Sequence, residues 1–140
     1  LGVTFNFGVL MGWAAVNHVV SVAALLLYVA GFFWTMGYDT VYAHQDKEDD
    51  MLAGIKSTAL VFGENSKNYV TIFYVLALIL LFAAFILAGA GVVSLLLLVV
   101  AGAHAARQVG RWDIDDPESS LTVFRSNRDF GLLVLLAAIL

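Results

Sequence analysis

The run VVSVAALLLYVAGFFWTMG, Val19 to Gly37, carries no charged residue and is followed at once by YDTVYAHQDKEDDMLAGIKST, Tyr38 to Thr58. About 20 consecutive apolar residues are what a single helical crossing of a bilayer requires, so the first stretch reads as a membrane span. The second stretch gathers Asp39, Asp46, Glu48, Asp49 and Asp50, five of the eleven acids in the chain. A membrane span that opens directly into clustered carboxylates sets both the fold class and the place to look for chemistry.

The rest of the 140 residues repeats the apolar pattern: 61% are hydrophobic and 13% charged, with a mean hydropathy of +0.90. Soluble domains carry about 25% charged residues. Tyr69 to Ala88 forms a second full span, and Val92 to Ala106 a shorter third, joined by the turn Gly89-Ala90-Gly91. Leu1 to Val16 reads as the end of a further helix, separated from Val19 by Asn17-His18, and Phe130 to Leu140 as the start of another. Several long runs without a charge argue against a soluble bundle, and no alternation of period two suggests a barrel. The expected fold is all-α: one polytopic transmembrane helical bundle over residues 1–140, with about three full and two partial membrane helices. No initiating Met is present and both ends fall within apolar patterns, so a portion of a larger protein is expected. The absence of cysteine excludes disulfides, thiolate metal sites and cysteine nucleophiles.

The seven basic residues predict the orientation. Lys47, Lys56 and Lys67 lie after one span, and Arg107, Arg111, Arg125 and Arg128 lie two crossings later, whereas Asn17-His18 and Gly89 to Gly91 hold no Lys or Arg. The positive-inside rule puts the charged connections on the cytoplasmic side of a bacterial inner membrane, or the matrix side of a mitochondrial inner membrane. All eleven acids fall on that side too. The segment 38–68 is expected to be a loop there.

On an uninterrupted helix at 100° per residue, Asp39, Asp46 and Asp50 fall within about 40° of each other. Asp46 and Asp50 are then about 6 Å apart along the axis, within reach of a hard cation. Mg²⁺ suits such a pair, because it takes one or two carboxylates and completes its shell with water and substrate phosphate. Asp49 lies roughly 80° from the stripe and joins only if the helix frays, Glu48 faces away, and His44, about 140° off, reads as a solvated side chain. An EF-hand fails, since Met51 and Ser57 stand where Gly and Glu are needed. A DDxxD element fails at Ala53. The bland reading is a solvated, charge-rich loop.

This stretch resembles the second aspartate-rich motif of the UbiA superfamily of intramembrane prenyltransferases, and is most similar to the branch that uses 4-hydroxybenzoate. That pattern, YDxxYAxxDxxDDxxxGxKST, is met by Tyr38, Asp39, Tyr42, Ala43, Asp46, Asp49, Asp50, Gly54, Lys56, Ser57 and Thr58. FRSNRDFG, Phe124 to Gly131, resembles the F-x-x-N-x-x-x-G element leading into the last helix of those enzymes, and GWAAV at Gly12 to Val16 is similar to their preceding helix. The resemblance implies the C-terminal portion of a nine-helix fold; the first aspartate-rich motif, NxxxDxxxD, is missing, so this portion is expected to be inactive by itself. It further implies transfer of a polyprenyl group from polyprenyl diphosphate to 4-hydroxybenzoate in ubiquinone synthesis, with Mg²⁺ as cofactor. Asp46 and Asp50, helped by Asp49, would bind the metal, and Lys56 the diphosphate. Asp39 would either bind metal or serve as cation stabiliser or base beside the aromatic substrate.

Trp34, Tyr38 and Tyr42 recur every four residues and either line a cation-stabilising pocket or form an interfacial belt. His18 marks a turn, and His104 reads as a snorkelling or hydrogen-bonded side chain. Asp116-Pro117-Glu118 predicts a helix start, with Asp116 as N-cap. Arg128 either reaches the diphosphate or anchors to headgroups. Two competing functions are a UbiA-type transferase with another aromatic acceptor and a cation-coupled membrane transporter; the latter predicts acids near mid-bilayer, where this chain has none. A lipid bilayer is an expected partner and nucleic acid is not.

Overall fold

Each long apolar run becomes a helix because a bilayer leaves no other way to satisfy backbone N–H and C=O groups. The computed structural model describes residues 1–140. It contains α1 (Gly2–Phe5), α2 (Phe7–Asn17), α3 (Val22–Ala43), α4 (Lys47–Ala53), α5 (Thr58–Phe62), a 3₁₀ turn (Gly63–Asn65), α6 (Ser66–Leu87), α7 (Val92–Arg111) and α8 (Pro117–Ile139). There is no strand. Three segments, Val22–Ala43, Thr58–Leu87 and Val92–Arg111, are long and apolar enough to cross a membrane. The fold is an all-helical membrane bundle, as the hydropathy predicts.

Local signals set the helix ends. Ser21 caps α3, its hydroxyl accepting from the Ala24 amide at 3.3 Å. Asp116 caps α8 by accepting from the Glu118 amide at 3.0 Å, with Pro117 in the first turn, as expected. That cap starts α8 well before the apolar run at Phe130, so its first half is amphipathic and the helix extends over 23 residues, Pro117–Ile139. Similarly α3 runs past Gly37 to Ala43. The segment 38–68 is therefore not a loop but the end of α3, two short helices, a 3₁₀ turn and the start of α6.

Helices α3 and α6 pack as the central pair, α7 lies against α6 and α8, and α8 returns to α3, while α1 and α2 rest on α3. Small buried residues, Ala24, Ala30, Ala77, Ala84, Ala101 and Ala105, let the helices approach closely. At Gly37 a Cβ would collide with the ring of Tyr74, which fixes the α3–α6 spacing. Exposed apolar columns such as Ile72, Val75 and Ile79 on α6 and Leu132, Leu135 and Leu136 on α8 face outward, as in a lipid solvent. The connections between α3 and α6 and between α7 and α8 share one end of the bundle, where His44 meets Ile114 and Ser66. At the opposite end the uncharged turn Gly89 to Gly91 lies beside Trp13 and Leu140. The bundle thus has one charged end and one uncharged end.

Candidate active site at the charged end of the bundle

The acid-rich segment is broken into pieces. Helix α3 stops at Ala43, the chain turns through His44 and Gln45, and α4 starts at Lys47 with Asp46 as its N-cap residue. Asp39 therefore lies on α3, and Asp49 and Asp50 lie in the first turn of α4. The single stripe of Asp39, Asp46 and Asp50 expected from one continuous helix does not exist. Its premise fails at His44, whose side chain is buried inside the bundle rather than solvated. No three of the acids and histidines converge closely enough to form a metal cage.

What remains is an unengaged set. Asp39, Asp46, Asp49, Asp50 and Lys56 make no side-chain hydrogen bond and no ion pair; the only ion pair in the chain joins Arg128 to Asp129 at 3.1 Å. Asp46 does not spend its carboxylate on capping α4. Asp39, Asp46 and Asp50 are half-buried, while Asp49 and Lys56 are exposed. Oxygen-only ligands free of internal partners suit a hard cation that keeps water and phosphate in its shell, and such a cation needs no three-residue cage. Acids in the first turn of α4 are also favoured by the helix dipole.

Gly54 sets the path from this turn to Lys56. It closes α4 at φ 70°, ψ 21°, with the Ile55 amide bonded to the Asp50 carbonyl at 2.9 Å. A side chain resists that left-handed conformation. Gly54→Ala is expected to cost about 1 kcal/mol, read as a fall of roughly 2–4 °C in the unfolding midpoint.

Between α3 and α8 lies an aromatic wall. Trp34, Tyr38 and Tyr42 face α8, where Phe124 packs on Tyr38 and Tyr42 with ring centroids 5.9 and 4.8 Å apart. Phe130 lies 5.1 Å from Trp34. Asn127 is the hub: buried, its Oδ1 accepts from Trp34 Nε1 at 3.0 Å and from the Tyr74 hydroxyl at 3.1 Å, and its Nδ2 donates to the Val123 carbonyl at 3.1 Å. Gly131 leaves room for the Trp34 ring, which a Cβ there would meet at 3.0 Å. The F-x-x-N-x-x-x-G spacing of Phe124, Asn127 and Gly131 is thus the α8 complement of the aromatic row on α3. Trp34, Tyr38 and Phe124, with Arg125 and Arg128 at the rim, line an open cavity of about 340 Å³. An indole bonded inward to Asn127 is not an interfacial belt residue, so the structure favours the pocket-lining reading for Trp34. Further in, Tyr38 and Asn6 both donate to Thr35 Oγ1, at 3.3 and 2.9 Å, tying α1–α2 to this wall.

His44 is the residue that helical spacing misassigned. Its Nδ1 lies 2.9 Å from the Ile114 carbonyl and its Nε2 2.8 Å from Ser66 Oγ, while the edge of Trp112 packs at 5.1 Å. A carbonyl only accepts, so Nδ1 carries the proton; in the neutral ring Nε2 is an acceptor, and it shares the single Ser66 hydroxyl hydrogen with the Gly63 carbonyl, which lies 2.7 Å from Ser66 Oγ. The partners are 70 and 22 residues away, and no local signal announces them. Burial holds the His44 pKa below its ordinary value of 6.5, and Lys47 adds to this, against the Ile114 carbonyl and Asp115. Because the unfolded chain binds this proton more readily, stability is fully present above pH 6.5 and falls as the pH drops through 6.5 toward the lower folded value. Thermal unfolding across pH 5 to 8 should show that slope in the parent and a flatter profile in His44→Gln. His104, as expected, is hydrogen-bonded, its Nε2 to the Ser126 carbonyl at 3.1 Å.

The chain is thus an all-helical membrane bundle with an aspartate-rich turn at its charged end and an aromatic-lined cavity between α3 and α8. Residues 1–135 match the UbiA prenyltransferase family, and the chain belongs to it. It is 43% identical over 141 residues to the mitochondrial 4-hydroxybenzoate polyprenyltransferase of Bos taurus and 44% identical over 141 residues to that of Homo sapiens, in each case over the whole chain. To the protein of the same name from Dictyostelium discoideum it is 41% identical over 140 residues, 99% of the chain and 30% of that relative. The chain spans 38% of the length of the bovine and human relatives. No solved structure matches it.

Proposed function

We propose that this chain is the diphosphate-binding part of a magnesium-dependent aromatic prenyltransferase, which transfers a polyprenyl group from polyprenyl diphosphate to 4-hydroxybenzoate in ubiquinone synthesis. The observation that carries the reading is that Asp39, Asp46, Asp49, Asp50 and Lys56, all in the segment at the charged end of a membrane bundle, are engaged in no ion pair. The names of the relatives supply donor and acceptor.

Asp46 and Asp50, with Asp49 as helper, would hold Mg²⁺, which supplies charge neutralisation to the leaving diphosphate. Lys56, a compact point charge, binds the diphosphate oxygens directly. The C–O bond of the prenyl diphosphate breaks, the allylic cation is captured by the ring carbon ortho to the phenol, and the ring proton leaves. Tyr38 and Trp34 present π faces toward the developing cation. Asp39, one residue from Tyr38, stabilises that cation or accepts the ring proton, and also remains a candidate metal ligand. Tyr42 closes the wall on the acid side. The isoprenoid tail stays among lipid-facing helices while the diphosphate meets water at the cytoplasmic or matrix mouth of a bacterial or mitochondrial inner membrane.

The test uses the full-length protein in membranes, with a labelled polyprenyl diphosphate and 4-hydroxybenzoate. The expected result is a labelled prenyl-hydroxybenzoate, abolished by EDTA and restored by Mg²⁺. Transfer to a different aromatic acid alone would replace the acceptor, and transfer indifferent to EDTA would remove the metal.

A further inference from the structure

Between the last turns of α7 and the start of α8 lies a second charged cavity, of about 380 Å³, lined by Arg107, Arg111, Asp116 and Glu118. At 100° per residue its α8 face, Ser119, Thr122 and Ser126, is opposite the face of Phe124 and Arg128 that looks onto the aromatic cavity. It is therefore outside the site described above. The two arginines and two acids are all exposed, yet no pair among them comes within 4.0 Å, since the only ion pair in the chain lies elsewhere. Opposite charges that share a cleft without closing on each other leave room for a group that carries both signs. At the base, Gln108 is buried and donates through Nε2 to Ser126 Oγ at 2.6 Å, while its Oε1 is left without a donor. Arg107 is steadied by His104, its Nη2 lying 3.3 Å from the ring Nδ1.

The surroundings point to a lipid. Arg107 and Arg111 stand at the end of a membrane-length helix, the depth of lipid phosphates. Along the same stripe of α7, at 7, 11 and 14 residues before Arg107, come Val100, Leu96 and Val93, all exposed. On the Thr122 and Ser126 face of α8 comes exposed Leu136. A charged cleft thus runs into an uncovered apolar track.

We propose that this cleft binds the headgroup of a zwitterionic aminophospholipid, of the phosphatidylethanolamine class, with its acyl chains along the α7–α8 track. Arg107 and Arg111 take the phosphate, and Glu118 and Asp116 take the primary ammonium at the far side of the ethanolamine spacer. A choline headgroup offers no N–H to those carboxylates, and a glycerol headgroup offers them hydroxyl donors but no positive charge.

Native mass spectrometry of the full-length protein, titrated with dioleoyl phosphatidylethanolamine, phosphatidylcholine or phosphatidylglycerol, tests this. The ethanolamine lipid is expected to bind roughly 10-fold tighter than either other lipid, the worth of one well-made charge-assisted pair. Arg107→Gln combined with Arg111→Gln should remove that preference, and Glu118→Gln should narrow the gap to phosphatidylglycerol. Glycerophosphoethanolamine, which has no acyl chains, should not displace the lipid at equal concentration; if it does, a soluble phosphoethanolamine is the ligand and the lipid assignment falls. Equal binding of the choline lipid, tighter binding of the glycerol lipid, no lipid retained, or a preference unchanged in the variants would each overturn the proposal. Glu118 is exposed and caps nothing, so its variant stays informative even if the double arginine variant does not fold.

Discussion

Asp46→Asn or Asp50→Asn in the full-length protein is expected to lower the proposed prenyl transfer roughly 10³-fold, while the unfolding midpoint should stay within about a degree or two of the parent. The size follows from what these carboxylates do in the proposed reaction. Each removes a formal charge from the ligand set of the metal that stabilises the leaving diphosphate, and about 4 kcal/mol of barrier corresponds to three decades in rate. The small stability effect follows from their freedom: neither side chain caps a helix or joins an ion pair, so nothing internal is lost. Raising Mg²⁺ should recover part of the activity in either variant, because the defect is in affinity as well as in rate. Asp49→Asn, at a more exposed position, should lose less. Full activity in both the Asp46 and Asp50 variants would sink the assignment.

The second large effect is structural. Asn127→Leu keeps the volume but strips Trp34 Nε1 and the Tyr74 hydroxyl of the acceptor they share. Buried donors left without partners cost about 1–3 kcal/mol each, so a total of about 2–6 kcal/mol is expected for the two. The unfolding midpoint in detergent, followed by circular dichroism, should fall by roughly 5–10 °C. Trp34→Phe removes one of the two donors beforehand, so Asn127→Leu in that background should cost about 1 kcal/mol less than in the parent. Equal costs in the two backgrounds would show that the indole bond contributes nothing.

Much of this fold is legible from residue type alone. The apolar runs give the helices because a bilayer admits little else, Asp116-Pro117 announces α8, and Gly89, at φ 78°, turns the chain where the sequence places a turn. The aspartate segment is legible as a motif but not as a geometry. The stripe needs one continuous helix, whereas α3 ends at Ala43 and His44 is held by Ile114 and Ser66, partners that no local pattern reveals. The same limit hides Asn127. Its place in a spacing pattern is visible, whereas its three hydrogen bonds depend on how α3, α6 and α8 meet. Periodicity reports a helix face; it does not report which face a distant helix will occupy.

The anchorage of His44 also orders events in time. The carbonyl that holds its ring belongs to Ile114, 70 residues further along the chain, and a ribosome adding about 5–20 residues per second needs several seconds to supply it. During that interval the aspartate turn lacks one of its two fixings. The acidic turn therefore takes its final place only after α7 has been inserted and the chain has begun its return toward α8. A nascent chain truncated before that point would carry Asp39, Asp46, Asp49 and Asp50 yet lack the Ile114 carbonyl that anchors the turn between α3 and α4.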